Sequence, residues 1–152
     1  MRIDDIDRRI LRQLQAAPDD PVAELAARAG VSPASFSRRL ERLRARGILK
    51  GQEALIDWPA LGWAVEVSLR FTLDKTDPRA FDEFIAAARK VPEVLEIQTF
   101  LGRVDVRLNV IARDMAHYQE IYRSRILTLP HIADIEALMH VARIKTEEGL
   151  PL

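Results

Sequence analysis

Apolar residues recur along this chain at two different spacings, and the spacing changes near residue 60. Up to Gly47 they fall at helical intervals. Ile6, Ile10, Leu11 and Leu14 share one face and predict a helix from Ile6 to Gln15. Asp4 is placed to cap it, with Asp7 three residues on as in a capping box. A second helix starts at Asp20-Pro21, carries Val22, Leu25, Ala26 and Ala29 on its buried stripe, and stops at Gly30. Glycine at that point enters the left-handed conformation without steric cost. Ser32-Pro33 repeats the start signal, and Phe36, Leu40 and Leu43 make the core face of a third helix reaching Arg46. Two helices joined by a short turn around a glycine form the helix-turn-helix pattern. Ile48 to Ile56 then reads as a short two-stranded wing turning near Gly51.

Asp57 to Gly62 breaks the pattern, and beyond it the period becomes two. Val65, Val67, Leu69, Phe71 and Leu73 alternate with polar residues, as in a strand with one buried face. Asp77-Pro78 opens a helix bearing Phe81, Phe84, Ile85 and Ala88, which Val91-Pro92 ends. Leu95 to Leu101 and Val104 to Val110 are two more strands around a tight turn at Gly102-Arg103. Asp114 caps a helix carrying Met115, Tyr118, Ile121, Tyr122 and Ile126, and Ile132 to Ile144 is the last strand. Asp77 with Pro92, and Asp114 with Pro130, mark a weak internal repeat. The order β-α-β-β-α-β predicts a ferredoxin-like sandwich, with two helices on one face of a four-stranded antiparallel sheet. The last strand is apolar at Leu138 and Ala142 on one side and at Ala137, Met139 and Val141 on the other. Burial of both faces requires a cover, and a second copy of the same sheet supplies one, so a homodimer is expected. The fold class is α+β: an N-terminal winged helix-turn-helix (residues 1–57), a linker (58–62) and a C-terminal ferredoxin-like domain (63–152).

Composition narrows the function. Of 152 residues, 48% are hydrophobic and 30% charged, which is globular composition. No apolar run reaches the length of a membrane span, and no signal peptide is read at the N-terminus. The chain has no cysteine, which excludes disulfides and thiolate chemistry and fits a cytoplasmic protein. Net charge is zero, yet from Arg28 to Lys50 seven basic residues stand against Glu41 alone. Attraction to phosphate needs such a local patch, not a global excess.

That charge has a direction. On the third helix Ser35, Arg38, Arg39, Arg42 and Arg46 fall on a face beside the core stripe. A helix fits the major groove, and arginine bonds guanine bidentately or holds phosphate. Ser32, Ser35, Arg38, Arg39, Arg42, Arg46 and, at the wing tip, Lys50 are therefore the candidate contacts to double-stranded DNA. A dimer would pair two such helices for a palindromic site.

These residues carry a resemblance. Asp4-x-x-Asp7-Arg8-x-Ile10-Leu11, Leu25-Ala26-x-x-x-Gly30-Val31-Ser32-Pro33, Arg39-x-x-x-Leu43-x-x-x-Gly47-Ile48 and Leu101-Gly102-x-x-Asp105 together resemble the Lrp/AsnC regulators of bacteria and archaea. The resemblance implies dimers that assemble into octamers or other rings, and control of amino-acid metabolism genes. It also implies an amino-acid effector bound between subunits near the turn joining the second and third sheet strands. Here that turn is Leu101, Gly102, Arg103, Val104 and Asp105. Gly102 exposes backbone N–H groups to a carboxylate, and Asp105 is suited to an α-ammonium group. Members commonly carry an acidic or small residue and then an aromatic where this chain has Arg103-Val104. Three readings of Arg103 stay open: a cross-strand pair with Asp105, a preference for an acidic ligand, or a turn that takes no ordinary amino acid.

The alternative is an enzyme. Some proteins resembling this family are haem-biosynthesis decarboxylases that use histidines, and this chain has His117, His131 and His140. His117 and His131 read as surface residues and His140 as an interface residue. The basic helix face would have no use in such an enzyme. There is no Walker-type loop and no Gly-x-Gly-x-x-Gly, and the pairs Asp19-Asp20 and Glu147-Glu148 read as caps or solvated charges. No catalytic residue, metal or cofactor is expected.

Overall fold

The computed structural model describes residues 3–146 and 149–152; the Glu147-Glu148 pair lies outside the described residues. The chain divides into two compact units, Met1–Leu55 with Lys145–Leu152, and Ile56–Ile144. The terminal segment, expected in the second domain, thus groups with the first.

The first unit holds α1 (Asp5–Ala16), α2 (Val22–Ala29) and α3 (Pro33–Ala45). The Asp4 carboxylate accepts the Asp7 N–H at 2.8 Å, and the Asp7 carboxylate accepts the Asp4 N–H at 3.3 Å, completing the capping box. Gly30 ends α2 with φ of 71°, and the Ser32 hydroxyl caps α3 through the Ser35 N–H at 3.2 Å. Ile10, Leu25, Ala26, Ala29, Phe36, Leu40 and Leu43 form the core, with Leu11, Leu14, Ile48 and Leu49 packed around it. The wing does not form as a paired hairpin: residues 50–57 run without strand pairing. Leu55 is 98% exposed, and an isolated two-stranded hairpin is marginal. Residues 149–152 return to α1. There the Gln15 amide accepts from the Leu150 N–H at 2.6 Å and donates to its carbonyl at 3.2 Å, and Arg12 Nε donates to a Leu152 backbone oxygen at 2.8 Å.

In the second unit β1 (Val65–Leu73), α4 (Ala80–Ala88), β2 (Val94–Thr99), β3 (Val106–Ala112), α5 (Met115–Ile121) and β4 (Ile132–Met139) follow in the expected order. The strands lie β2-β3-β1-β4, all antiparallel, which is the ferredoxin-like arrangement. Val67, Leu69, Phe71 and Leu73 of β1 and Val106, Leu108 and Val110 of β3 meet Phe84, Ala88, Tyr118 and Ile121 of the helices. Three boundaries differ from expectation. Asp77 accepts the Arg79 N–H at 2.8 Å instead of capping α4. The helix after Asp114 changes to a π turn at Tyr122–Ile126, which sets Ile126 in the core. β4 ends at Met139, with one further backbone hydrogen bond to β1 from the His140 N–H to the Glu66 carbonyl at 3.0 Å.

The face away from the helices is polar. Ser68 and Asn109 are register partners, as are Arg70 and Arg107, with Gln98 beyond Arg107 and Glu136 beyond Arg70. Within the single chain β4 is largely exposed, Leu138 at 37% and Met139 at 47%, so burial on both its faces is not met by this chain alone.

Candidate nucleic-acid interface and effector turn

The arginines of α3 separate into two sets. Arg39 projects towards α1, where its Nη1 lies 2.7 Å from the Asp4 carboxylate and 2.8 Å from that of Asp7. Arg42 joins them, with Nη2 at 2.9 and 3.0 Å from the two Asp7 oxygens. Asp7 is fully buried, and the side chains of Arg39 and Arg42 are only 18% and 32% exposed. The Arg39 hydrogen bond, aided by the Asp7 N–H, holds the Asp4 carboxyl below its ordinary range. The same pairing raises Arg39. These carboxylates therefore do two jobs: they cap α1 and neutralise the inner side of α3.

Arg38, Arg46 and Lys50 are exposed, as is Ser32 at the helix start; Ser35 is half-buried beside it. The N-terminal turn of α3 adds the positive end of its dipole to this surface. The seven sequence candidates are thus not one face. Ser32, Arg38, Arg46 and Lys50 are exposed with Ser35 half-buried among them, while Arg39 and Arg42 are held by the carboxylates of α1. The sequence already held the clue in Asp4 and Asp7, but only their local capping role was readable from it.

The turn after β2 gives a parallel result. Leu101, Gly102 and Arg103 are exposed, while Asp105 is buried. Gly102 has φ of 156°, and a Cβ built there would meet no atom within 4 Å, so the space above its backbone is open. Asp105 is stitched to the end of β1: its N–H donates to the Phe71 carbonyl at 2.9 Å, and its Oδ2 accepts the Leu73 N–H at 2.8 Å. Its Oδ1 lies 2.7 Å from Lys75 Nζ. Burial pushes this carboxyl up, but the Leu73 N–H and Lys75 outweigh it and hold the group below its usual range. Asp105 thus pairs with Lys75, a residue for which the sequence offered no signal, and not with Arg103. Arg103 contributes its carbonyl to the Thr72 hydroxyl at 3.0 Å.

The histidines are scattered and locally engaged. His117 Nδ1 accepts the Arg113 N–H at 3.1 Å, and His140 lies 3.6 Å from Glu66 on the open sheet face. His131 Nε2 sits 2.7 Å from Glu83. Asp77, Glu83 and His131 bring ligand atoms within 4.8 Å of one another, but Arg79 stands 3.5 and 3.6 Å from the two carboxylates and supplies their positive charge.

A basic helix-turn-helix joined to a ferredoxin-like unit defines the chain as a transcriptional regulator. Sequence profiles agree along its length. Residues 3–44 match the AsnC-type helix-turn-helix domain, and residues 66–150 match the Lrp/AsnC ligand binding domain. The proline dehydrogenase transcriptional activator of Rhodobacter capsulatus is 34% identical over 131 residues, covering 86% of this chain and 85% of that protein. The leucine-responsive regulatory protein of Escherichia coli is 30% identical over 148 residues, covering 97% and 90%. Among solved structures, a transcriptional regulator of Neisseria meningitidis in complex with L-methionine superposes with a TM-score of 0.90 at 27% identity, covering 99% and 97% of the two chains. The chain belongs to the Lrp/AsnC family.

Proposed function

We propose that this regulator grips double-stranded DNA through Ser32, Ser35, Arg38, Arg46 and Lys50, while Arg39 and Arg42 fix α3 against α1. The observation that carries the reading is the division of α3 into an outward basic side and an inward, neutralised one. Arg38 extends from the exposed side in the second turn after the Ser32 cap, near the helix N-terminus where a major-groove helix meets base edges. In a salt titration against a selected duplex, Arg38→Ala should weaken binding and flatten the salt slope by about one unit, with thermal stability unchanged. Unaltered affinity would remove Arg38 from the interface.

The functional species is a homodimer closed across the polar sheet face, with an octamer or other ring as a higher assembly. Support comes from β4, whose Leu138 and Met139 are left 37% and 47% exposed by the single chain. A second copy of the same sheet would cover these side chains. Ser68→Arg should sediment as a monomer; a dimer of unchanged stability would move the interface elsewhere.

The turn Leu101, Gly102, Arg103 and Asp105 is the effector site, taking an amino acid or a related metabolite. The methionine complex of the meningococcal relative favours this reading, as does the open backbone at Gly102. Regulation of transcription, not catalysis, is the activity, and none of the three histidines is assigned a chemical step.

A further inference from the structure

The carboxylate best suited to an amino acid's ammonium group already holds one. Of the two Asp105 oxygens, Oδ2 is committed to the Leu73 N–H and Oδ1 to Lys75 Nζ at 2.7 Å. The ammonium arrives from the solvent side: the Lys75 side chain is 64% exposed, against 9% for Asp105. Asp105 cannot swing to a new partner, since its own N–H and Oδ2 are both tied to β1. The Arg103 guanidinium, exposed on the same turn, makes no ion pair among the described residues. The turn therefore presents two cations, Lys75 and Arg103, against the one carboxylate of Asp105, around an open glycine backbone.

Such a site treats two closely related ligand classes differently. An amino acid brings a second ammonium, which must displace Lys75 or face it at close range. The corresponding α-keto acid keeps the carboxylate and side chain but carries a carbonyl oxygen at the α position. That oxygen accepts a hydrogen bond, and the Lys75 ammonium retains donors beyond the one given to Asp105. Its carboxylate is matched by Arg103 and the Gly102 N–H.

We propose that Lys75 is the specificity-determining residue of the effector turn, filling the ammonium position itself, so that the site takes an α-keto acid in preference to the corresponding amino acid. The inference rests on the effector-turn reading given above. Its test is calorimetric titration of the full chain with matched amino acid and α-keto acid pairs of the leucine, methionine and glutamate series. Wild type should bind the keto member of one pair tighter by about tenfold, the worth of one charge-assisted hydrogen bond. Lys75→Met frees Asp105 Oδ1 and should reverse the preference within that pair. The exposed stem makes this variant safe for folding, which a melting curve confirms. A preference that is the same in both proteins, or that favours the amino acid in wild type, overturns the role of Lys75 alone. Failure of every pair to bind either protein overturns the effector turn and this inference with it.

Discussion

Asp7 and Asp105 are both buried carboxylates that hold cations from their own chain, and they hold them differently. Asp7 is fully enclosed and shared between two guanidinium groups that are themselves mostly buried. Asp105 faces a single ammonium on a solvent-exposed stem. Arginine's planar fork suits a fixed multidentate pair, whereas lysine is a mobile point charge. The first arrangement is a closed joint between helices; the second is open to solvent, and on the proposed effector reading a ligand would contest it. Charge pairs of similar length thus serve opposite purposes, and exposure decides which.

The largest expected effect tests the joint. Asp7→Ala leaves Arg39 and Arg42 half-neutralised in a closed setting and removes part of the α1 cap, so chemical denaturation should show a loss of about 3–5 kcal/mol. Lys75→Met, by contrast, should cost less than about 1 kcal/mol, because its pair is open to solvent. Equal losses would erase the distinction drawn between them. The smallest effect is the acid limb of stability. Asp4 and Asp105 both have folded pKa values below the ordinary 3.8, so their contribution is complete above that pH and fades as pH falls through the lower folded values. Thermal melting between neutral pH and strong acid should fall on that limb. Asp4→Asn should flatten it; a profile identical to wild type would detach Asp4 from the joint.

Much of the fold was legible from periodicity. The Asp4 and Asp7 box, the Gly30 stop and the Ser32 cap are local signals, and each holds in the structure. So does the alternation that places Val67, Leu69 and Phe71 inside. What escaped was set at long range. Arg39 and Arg42 share the outer face on a helical wheel, but wheel position says nothing of a partner helix 32 to 35 residues earlier. Lys75 was invisible because its role depends on β1 and the turn after β2 meeting at one end of the sheet. The wing was read from spacing alone, and a lone two-stranded hairpin is marginal.

The two-sided character of α3 separates what keeps this helix in place from what it is proposed to read. Arg39 and Arg42 belong to the chassis, bolted to α1 by Asp4 and Asp7. Ser35 and Arg38 do not take part in that attachment. The outer positions are therefore interchangeable in a way the inner ones are not. If Ser35 and Arg38 read the operator as proposed, a designer could randomise them without touching the joint, and the variants would differ in the sequence they choose and not in whether they fold.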